Sequence, residues 1–294
     1  MPSGVVYAAL AFVWWGLFPL YFRIVTGVPA GEVLAHRVLW CMVFVLALLA
    51  RRRQWAWLVP LLRSPKVLGA FAVSAVMIAA NWITYIWSVQ HGHVVDASLG
   101  YFINPLINVL LGTTLLHERL RRAQWAALAL AGLGVVWLTV QAGQPPWIAL
   151  LLAVTFAAYG LLRKVAALGP LEGLALETML LVPVAIVALA VWAQRGTATF
   201  PAAGLVTDLW LIGLGPLTAV PLLLFTAGAR RLSLTTLGLL QYLGPSIQFV
   251  LGVTVFGETV VASRLAGFGC IWAALAIYTL DGARHSGRSA AVLA

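Results

Sequence analysis

Residues 96–118 read DASLGYFINPLINVLLGTTLLHE, and residues 236–258 read TLGLLQYLGPSIQFVLGVTVFGE. The second stretch is the first moved on by 140 positions (258 − 118 = 140): Pro105 falls on Pro245, Gly112 on Gly252, Thr114 on Thr254 and Glu118 on Glu258. Each is an apolar run long enough to cross a bilayer, with a proline near its middle and amides beside it. Two related helices broken by proline, one in each half of a very apolar chain, are how membrane proteins build a binding site at the bilayer midplane between internal repeats.

The composition sets the solvent. Hydrophobic residues make up 63% of the 294 and charged residues 9%, and the mean hydropathy is +1.00. A water-soluble domain of this size has nowhere to hide so much apolar surface, so the chain belongs in lipid. The opening MPSGVVYAAL lacks a basic leader, and the first apolar run reads as a retained span and not as a signal peptide. The net charge of +10 does not indicate nucleic acid, because the basic residues are scattered through short connections. Cys41 and Cys270 fall inside apolar runs without metal-ligand spacing and read as buried thiols.

Ten spans follow from the hydropathy pattern, at 5–23, 31–50, 67–90, 95–116, 123–140, 146–165, 170–193, 207–230, 235–257 and 263–281. Each is near the roughly 20 residues that cross the hydrocarbon layer as a helix, and far longer than a barrel strand of about 10. The expected fold class is an all-α polytopic membrane protein.

Its orientation comes from lysine and arginine. With the N-terminus in the cytoplasm, the inner connections hold Arg51, Arg52, Arg53, Arg63, Lys66, Arg119, Arg121, Arg122, Arg163, Lys164, Arg230, Arg231, Arg284 and Arg288. The outer ones hold only Arg23, Arg195 and Arg264, and Arg37 is left inside a span. The positive-inside rule then places both termini in the cytoplasm. Five spans per repeat is an odd number, so the second copy enters the membrane from the opposite side. The expected organisation is a first five-helix repeat (1–142), a GQPP linker (143–146), an inverted second repeat (147–281) and a cytoplasmic tail (282–294).

Pro105 and Pro245 are expected to break their helices and free a carbonyl where only protein or a watery cavity can receive it. Tyr101, Asn104 and Asn108 share one helix face, and the repeat carries Tyr101 to Gln241, beside Tyr242, and Asn108 to Gln248. Amides facing lipid are expensive, so both stripes point inward, either lining a pocket or bonding helices together. Asn81, Tyr85 and Ser88 add a polar face whose counterparts are Pro221, Phe225 and Gly228, which suits a ligand polar at one end. Trp14, Phe18 and Tyr21 or Phe22 form an aromatic stripe that either lines the site or meets lipid.

Charges inside spans are few. Arg37 and Glu177 are 140 residues apart, but their spans enter from opposite sides, which leaves about 10–12 Å of depth between them. A direct ion pair is not expected, and Arg37 has the reach to snorkel outward past Glu32. Glu177 is the candidate proton-coupled carboxylate, and His36, one turn from Glu32 and Trp40, is a second titrating candidate. Glu118 and Glu258 stand where one span ends and the next begins, and are expected to cap the following helices. HGHVVD (91–96) sets His91, His93 and Asp96 close together, but no further cluster supports a metal, and Asp96 reads as a helix-start residue. No nucleophile elbow, P-loop or dinucleotide fingerprint occurs.

On WWGLFPLYF, NWITYIWSVQHGHVVDASLGYFINPLINVLLG, EGLALETMLL and LGLLQYLGPSIQFVLGVTVFGE, the chain resembles the drug/metabolite transporter superfamily, and within it the EamA-type RarD (chloramphenicol-sensitive protein) subfamily. The first copy departs from the family's Gly-Glu ending with His117-Glu118, whereas the second keeps it at Gly257-Glu258. The resemblance implies a ten-helix inverted-repeat permease of a bacterial inner membrane, mostly exporting small organic molecules through a central cavity.

The expectation is a secondary transporter without a cofactor, moving a small amphipathic, drug-like or amino-acid-like molecule by alternating access, with protons as the coupling ion. Trp14, Asn81, Tyr85, Tyr101, Asn104, Asn108, Gln241, Tyr242 and Gln248 would line the site, and Arg37, Glu177 and His36 would bias the gates. The alternative is a membrane-embedded enzyme that uses the His91, His93 and Asp96 cluster on a lipid-linked substrate. Oligomeric state does not follow from the sequence.

Overall fold

A computed structural model describes residues 2–292, apart from 23, 26, 54, 92, 143–146, 202–203 and 256–261. Arg23, the GQPP linker, Gly257 and Glu258 therefore lie outside the described residues. Among those described, all regular structure is helical. The chain runs through α1 (Pro2–Gly16), α2 (Phe18–Phe22), α3 (Ala30–Arg52), α4 (Leu58–Leu62), α5 (Pro65–Gln90), α6 (Val94–Thr114) and α7 (Arg122–Ala142). It continues with α8 (Trp147–Val165), α9 (Pro170–Gln194), α10 (Leu205–Ala229), α11 (Leu234–Gln241), α12 (Leu243–Thr254) and α13 (Ala262–Val292).

Among the described residues, seven helical segments are long and apolar enough to cross a bilayer: α1 with α2, then α3, α5, α7, α8, α9 and α10. Large apolar side chains such as Leu133, Val140, Val184 and Val187 face outward. Such an apolar outer surface suits lipid and not water. The chain is a polytopic membrane protein.

Local chemistry explains the ends. α5 and α9 open on Pro65 and Pro170, first-turn positions where no backbone donor is needed. α3 stops where Arg53 turns left-handed at φ 51°. α11 is capped by Ser233, whose hydroxyl accepts from the Thr236 amide at 3.1 Å. Glu118 adds a second cap there. Its carboxylate accepts from the amides of Leu234 at 2.7 Å and Thr235 at 3.1 Å, and from the Thr235 hydroxyl at 2.8 Å. Glu118 was expected to cap the next helix, α7. It caps α11 instead, because the turn after α6 aims it at another exposed set of backbone donors.

The two prolines behave differently. Pro245 falls in the first turn of α12, after a break at Tyr242, while Pro105 sits inside an uninterrupted α6. The expected break at Pro105 is therefore absent: α6 carries on past the lost backbone bond, held on one side by α8 and on the other by α11. α13 runs on to Val292, through the segment read as a tail.

α3 packs against α9 and α10, α1 against α10 and α12, α5 against α8 and α9, and α6 against α8 and α11. Their buried side chains make one large core. α7 and α13 pair with each other at the edge, in a second cluster with α6. That pair approaches closely because it meets at glycines: a Cβ added at Gly134 would lie 2.7 Å from the Gly267 carbonyl oxygen.

Candidate functional site

α1, α2, α3, α5, α6, α8 and the α11–α12 break surround a central cavity with about 570 Å³ free of protein atoms, part of it open to the exterior. Phe12, Trp15, Phe18, Trp82 and Phe156 give it aromatic walls. Its polar lining is Arg37, Asn81, Tyr85, Tyr101, Gln241 and Gln248, with Gly244 and Pro245 at the break. Groups distant in sequence thus meet in one apolar space with a few convergent polar groups, the usual form of a small-molecule site.

Arg37 is the only charged side chain among the described residues of this lining. It is buried, so it does not snorkel outward as its position near the span's end suggested. Its Nε donates to Thr218 Oγ1 at 2.9 Å, and the guanidinium lies 4.2 Å from the Trp82 ring centre and 5.6 Å from that of Phe18. Two rings and a hydroxyl hold the cation inside the protein.

The amides divide into two groups. Asn81 donates to the Leu152 carbonyl at 2.9 Å and to Thr155 Oγ1 at 3.1 Å from the cavity wall. Gln248 donates to the Trp15 carbonyl at 3.1 Å, tying α12 to the end of α1. Asn104 and Asn108 do not reach the cavity. Asn104 donates to the Ala153 carbonyl at 2.6 Å, and Asn108 donates to Asn104 Oδ1 at 2.9 Å and Gln241 Oε1 at 3.3 Å. They join α6 to α8 and to the cavity residue Gln241. Tyr242 is also enclosed and donates to the Phe102 carbonyl at 3.3 Å.

Trp14 is displaced from its expected place. Its ring is 38% exposed and its indole nitrogen donates to the Leu217 carbonyl, while its neighbour Trp15 faces the cavity. The reason is the break at Leu17 between α1 and α2, which shifts the helical phase that the Trp14–Phe18–Tyr21 stripe assumed. Trp15, Phe12, Trp82, Phe156 and Thr218 went unread in the sequence. The one available signal was the match of Trp15-Gly16 to Tyr159-Gly160 across the repeat.

Glu177 stands apart from the cavity, in a buried cluster of its own. Ser74 Oγ donates to Oε1 at 2.5 Å, Tyr159 OH donates to Oε2 at 3.5 Å, and Arg163 Nε lies 3.8 Å from Oε1. By its place in the sequence Arg163 belongs among the loop charges. It is instead fully buried at the end of α8, where it donates to the Pro170 carbonyl at 3.0 Å and Thr226 Oγ1 at 3.4 Å and lies 5.4 Å from the Phe71 ring. Gly173 makes the room, since a Cβ there would fall 1.9 Å from Arg163 Nη1.

His36 is buried outside the cavity, its Nδ1 accepting from Trp40 Nε1 at 3.2 Å and its Nε2 3.9 Å from Glu32. Glu32 accepts from the Thr199 amide at 2.8 Å and the Phe200 amide at 3.0 Å, fixing the connection into α10. His91 and His93 stack on Trp87, with ring centres 4.5 and 5.5 Å away. The Asp96 side chain lies outside the described residues, and among those described no three His, Cys, Asp or Glu gather into a metal site.

A second space, about 870 Å³ free of protein atoms, lies between Phe22, the 25–29 connection and the last turns of α5 as far as Gln90. Tyr85 lines both spaces.

A family model described as the EamA-like transporter family matches residues 2–140. The chain is 47% identical over 292 residues to Protein RarD of Streptomyces exfoliatus, covering 99% of this chain and 92% of the relative. It is 46% identical over 279 residues to Protein RarD of Escherichia coli, covering 95% and 94%. The chain belongs to the EamA-like transporter family. A relative in Pseudomonas aeruginosa named Chloramphenicol-sensitive protein RarD is 32% identical over 292 residues, covering 96% of this chain and 95% of its own. A solved crystal structure at 20% identity superposes with a TM-score of 0.72, covering 95% of this chain and 98% of that one, so it shares the fold. This EamA-like protein is thus a multi-pass bacterial membrane transporter, and the central cavity is its candidate path.

Proposed function

We propose that this transporter moves a small amphipathic organic molecule through the central cavity by alternating access, in the bacterial inner membrane. The observation that carries the reading is the make-up of the cavity. Arg37, Asn81, Tyr85 and Tyr101 of the first half meet Gln241, Pro245 and Gln248 of the second around one space.

The ten-span, inverted-repeat reading is supported by how the helices pair. Exchanging the halves turns α5–α8 into α10–α1, α3–α10 into α9–α5, and α6–α8 into α12–α1, and every one of these contacts occurs. α3–α9 and α7–α13 map onto themselves. A pseudo-two-fold of this kind gives a site two matching gates. With both termini in the cytoplasm, the outer gate is thin: Phe22, Tyr85 and Tyr101, whose neighbouring ring centres are 5.9 and 5.6 Å apart, stand between the cavity and the second space. The inner closure is thicker, formed by Phe12, Phe156, Phe225 and Tyr159 above the Glu177–Arg163 cluster. Export is the direction that the family resemblance implies.

Proton coupling is assigned to Glu177, because it is a buried carboxylate between hydroxyls and one cation at the inner closure. The test is flux in proteoliposomes under an imposed pH gradient. Glu177→Gln is expected to remove the dependence on the gradient while leaving counterflow, and a variant still driven by the gradient ends this role. Gln241→Ala is expected to cut counterflow severely. Wild-type-like flux in that variant overturns the cavity as the path.

A further inference from the structure

We propose that the transported molecule carries a carboxylate, or an equivalent organic anion, which docks on Arg37 while an aromatic or apolar body lies against Trp82, Phe18 and Trp15. The inference rests on the transport reading for its context and takes its content from the state of Arg37.

A guanidinium inside a membrane protein normally has a matched anion, because an unpaired charge in a dry interior is costly. Arg37 has none among the described residues. Glu32 accepts from the Thr199 and Phe200 amides and Glu177 is paired with Arg163. The hydrogen bond from Arg37 Nε to Thr218 Oγ1 leaves Nη1 and Nη2 without a partner among the described residues, beside the cavity. An end-on pair of guanidinium donors fits the two oxygens of a carboxylate.

The partial compensation Arg37 does have explains how it persists without an anion. Trp82 and Phe18 present ring faces to the cation, a stabilisation weaker than an ion pair that leaves the charge available. The rest of the chamber argues against a bare inorganic ion. Phe12, Trp15, Phe156 and Pro245 line it with apolar surface, which suits an organic body better than a bare ion. Asn81 and Gln241, with spare carbonyl or amide capacity, can take a second polar group at a distance from the first.

The probes are phenylacetate and indole-3-acetate, their uncharged amides phenylacetamide and indole-3-acetamide, and chloride, each titrated against detergent-purified full-length protein by thermal shift at neutral pH. The acids are expected to raise the unfolding midpoint in a saturable way and the amides not to. Arg37→Gln is expected to weaken the acids at least ~10-fold, as fits the loss of a charged hydrogen-bond pair, and Arg37→Lys to restore part of the affinity. Amides binding as well as acids, acids binding Arg37→Gln unchanged, or neither acid binding at all, each overturn the inference. Equal, Arg37-dependent stabilisation by chloride overturns its organic part. The wild-type comparison of acid with amide stands even if Arg37→Gln fails to fold. Counterflow of the labelled acids, corrected for protein-free liposomes, separates the two readings. Binding without flux defeats the transport reading and leaves the anion site, whereas equal flux of acid and amide defeats the anion site and leaves the transporter.

Discussion

Arg37 and Glu177 occupy equivalent places in the two halves, 140 residues apart, yet their surroundings are opposites. Glu177 is enclosed on every side by Ser74, Tyr159 and Arg163. Arg37 has one hydroxyl, two ring faces and an open cavity. The difference lies in where each buried charge finds its compensation. The Glu177 charge takes all its partners from the protein across several helices, whereas Arg37 is left short of partners beside a space.

The comparison is most exposed to failure at Arg163. Arg163→Ala leaves Glu177 buried without its cation and is expected to cost about 3–5 kcal/mol. Arg37→Gln removes a cation that has no anion and is expected to cost less than about 1.5 kcal/mol. Thermal unfolding in one detergent measures both, and equal losses would erase the distinction between the two ends. Ser74→Ala removes the 2.5 Å hydrogen bond to Glu177 and is expected to cost about 1.5–3 kcal/mol, without changing binding of acids at Arg37. A loss of acid binding in that variant would mean that the two charges are coupled. Gly173→Ala sharpens the picture at smaller scale. Its Cβ collides with Arg163 Nη1, so it is expected to destabilise by about 1–3 kcal/mol despite the better helix propensity of alanine. Gly69→Ala, exposed in α5 with open space around it, is the control and is expected to stabilise by about 0.5–1 kcal/mol.

Part of the cavity lining was legible because the 140-residue offset doubles the signal. Tyr101 and Gln241 are repeat partners, Asn81 and Tyr85 share a stripe, and all four face the same cavity. What escaped depended on azimuth and on partners across helices. Trp15 replaced Trp14 because the helix is interrupted at Leu17, so the even spacing assumed from Trp14 to Phe18 does not hold. Asn104 and Asn108 have the same side-chain chemistry as cavity amides. Only the position of the Ala153 carbonyl makes them links between helices. Arg163 was read as a loop charge because it stands near the end of an apolar run, where hydropathy cannot separate a buried terminus from a solvated one.

Composition and order along the chain were enough to indicate lipid as the solvent, helices as the elements, a match between residues 140 positions apart and a scarcity of charges that singled out Arg37 and Glu177. These properties depend on counts and spacings, which a linear sequence holds in full. Packing alone decided that Pro245 interrupts its helix while Pro105 does not, that Glu118 caps α11, and that Glu177 has a cation whereas Arg37 faces a space. Those outcomes turn on which surfaces meet in three dimensions, and identical side chains acquire different roles according to what lies within about 3 Å of them.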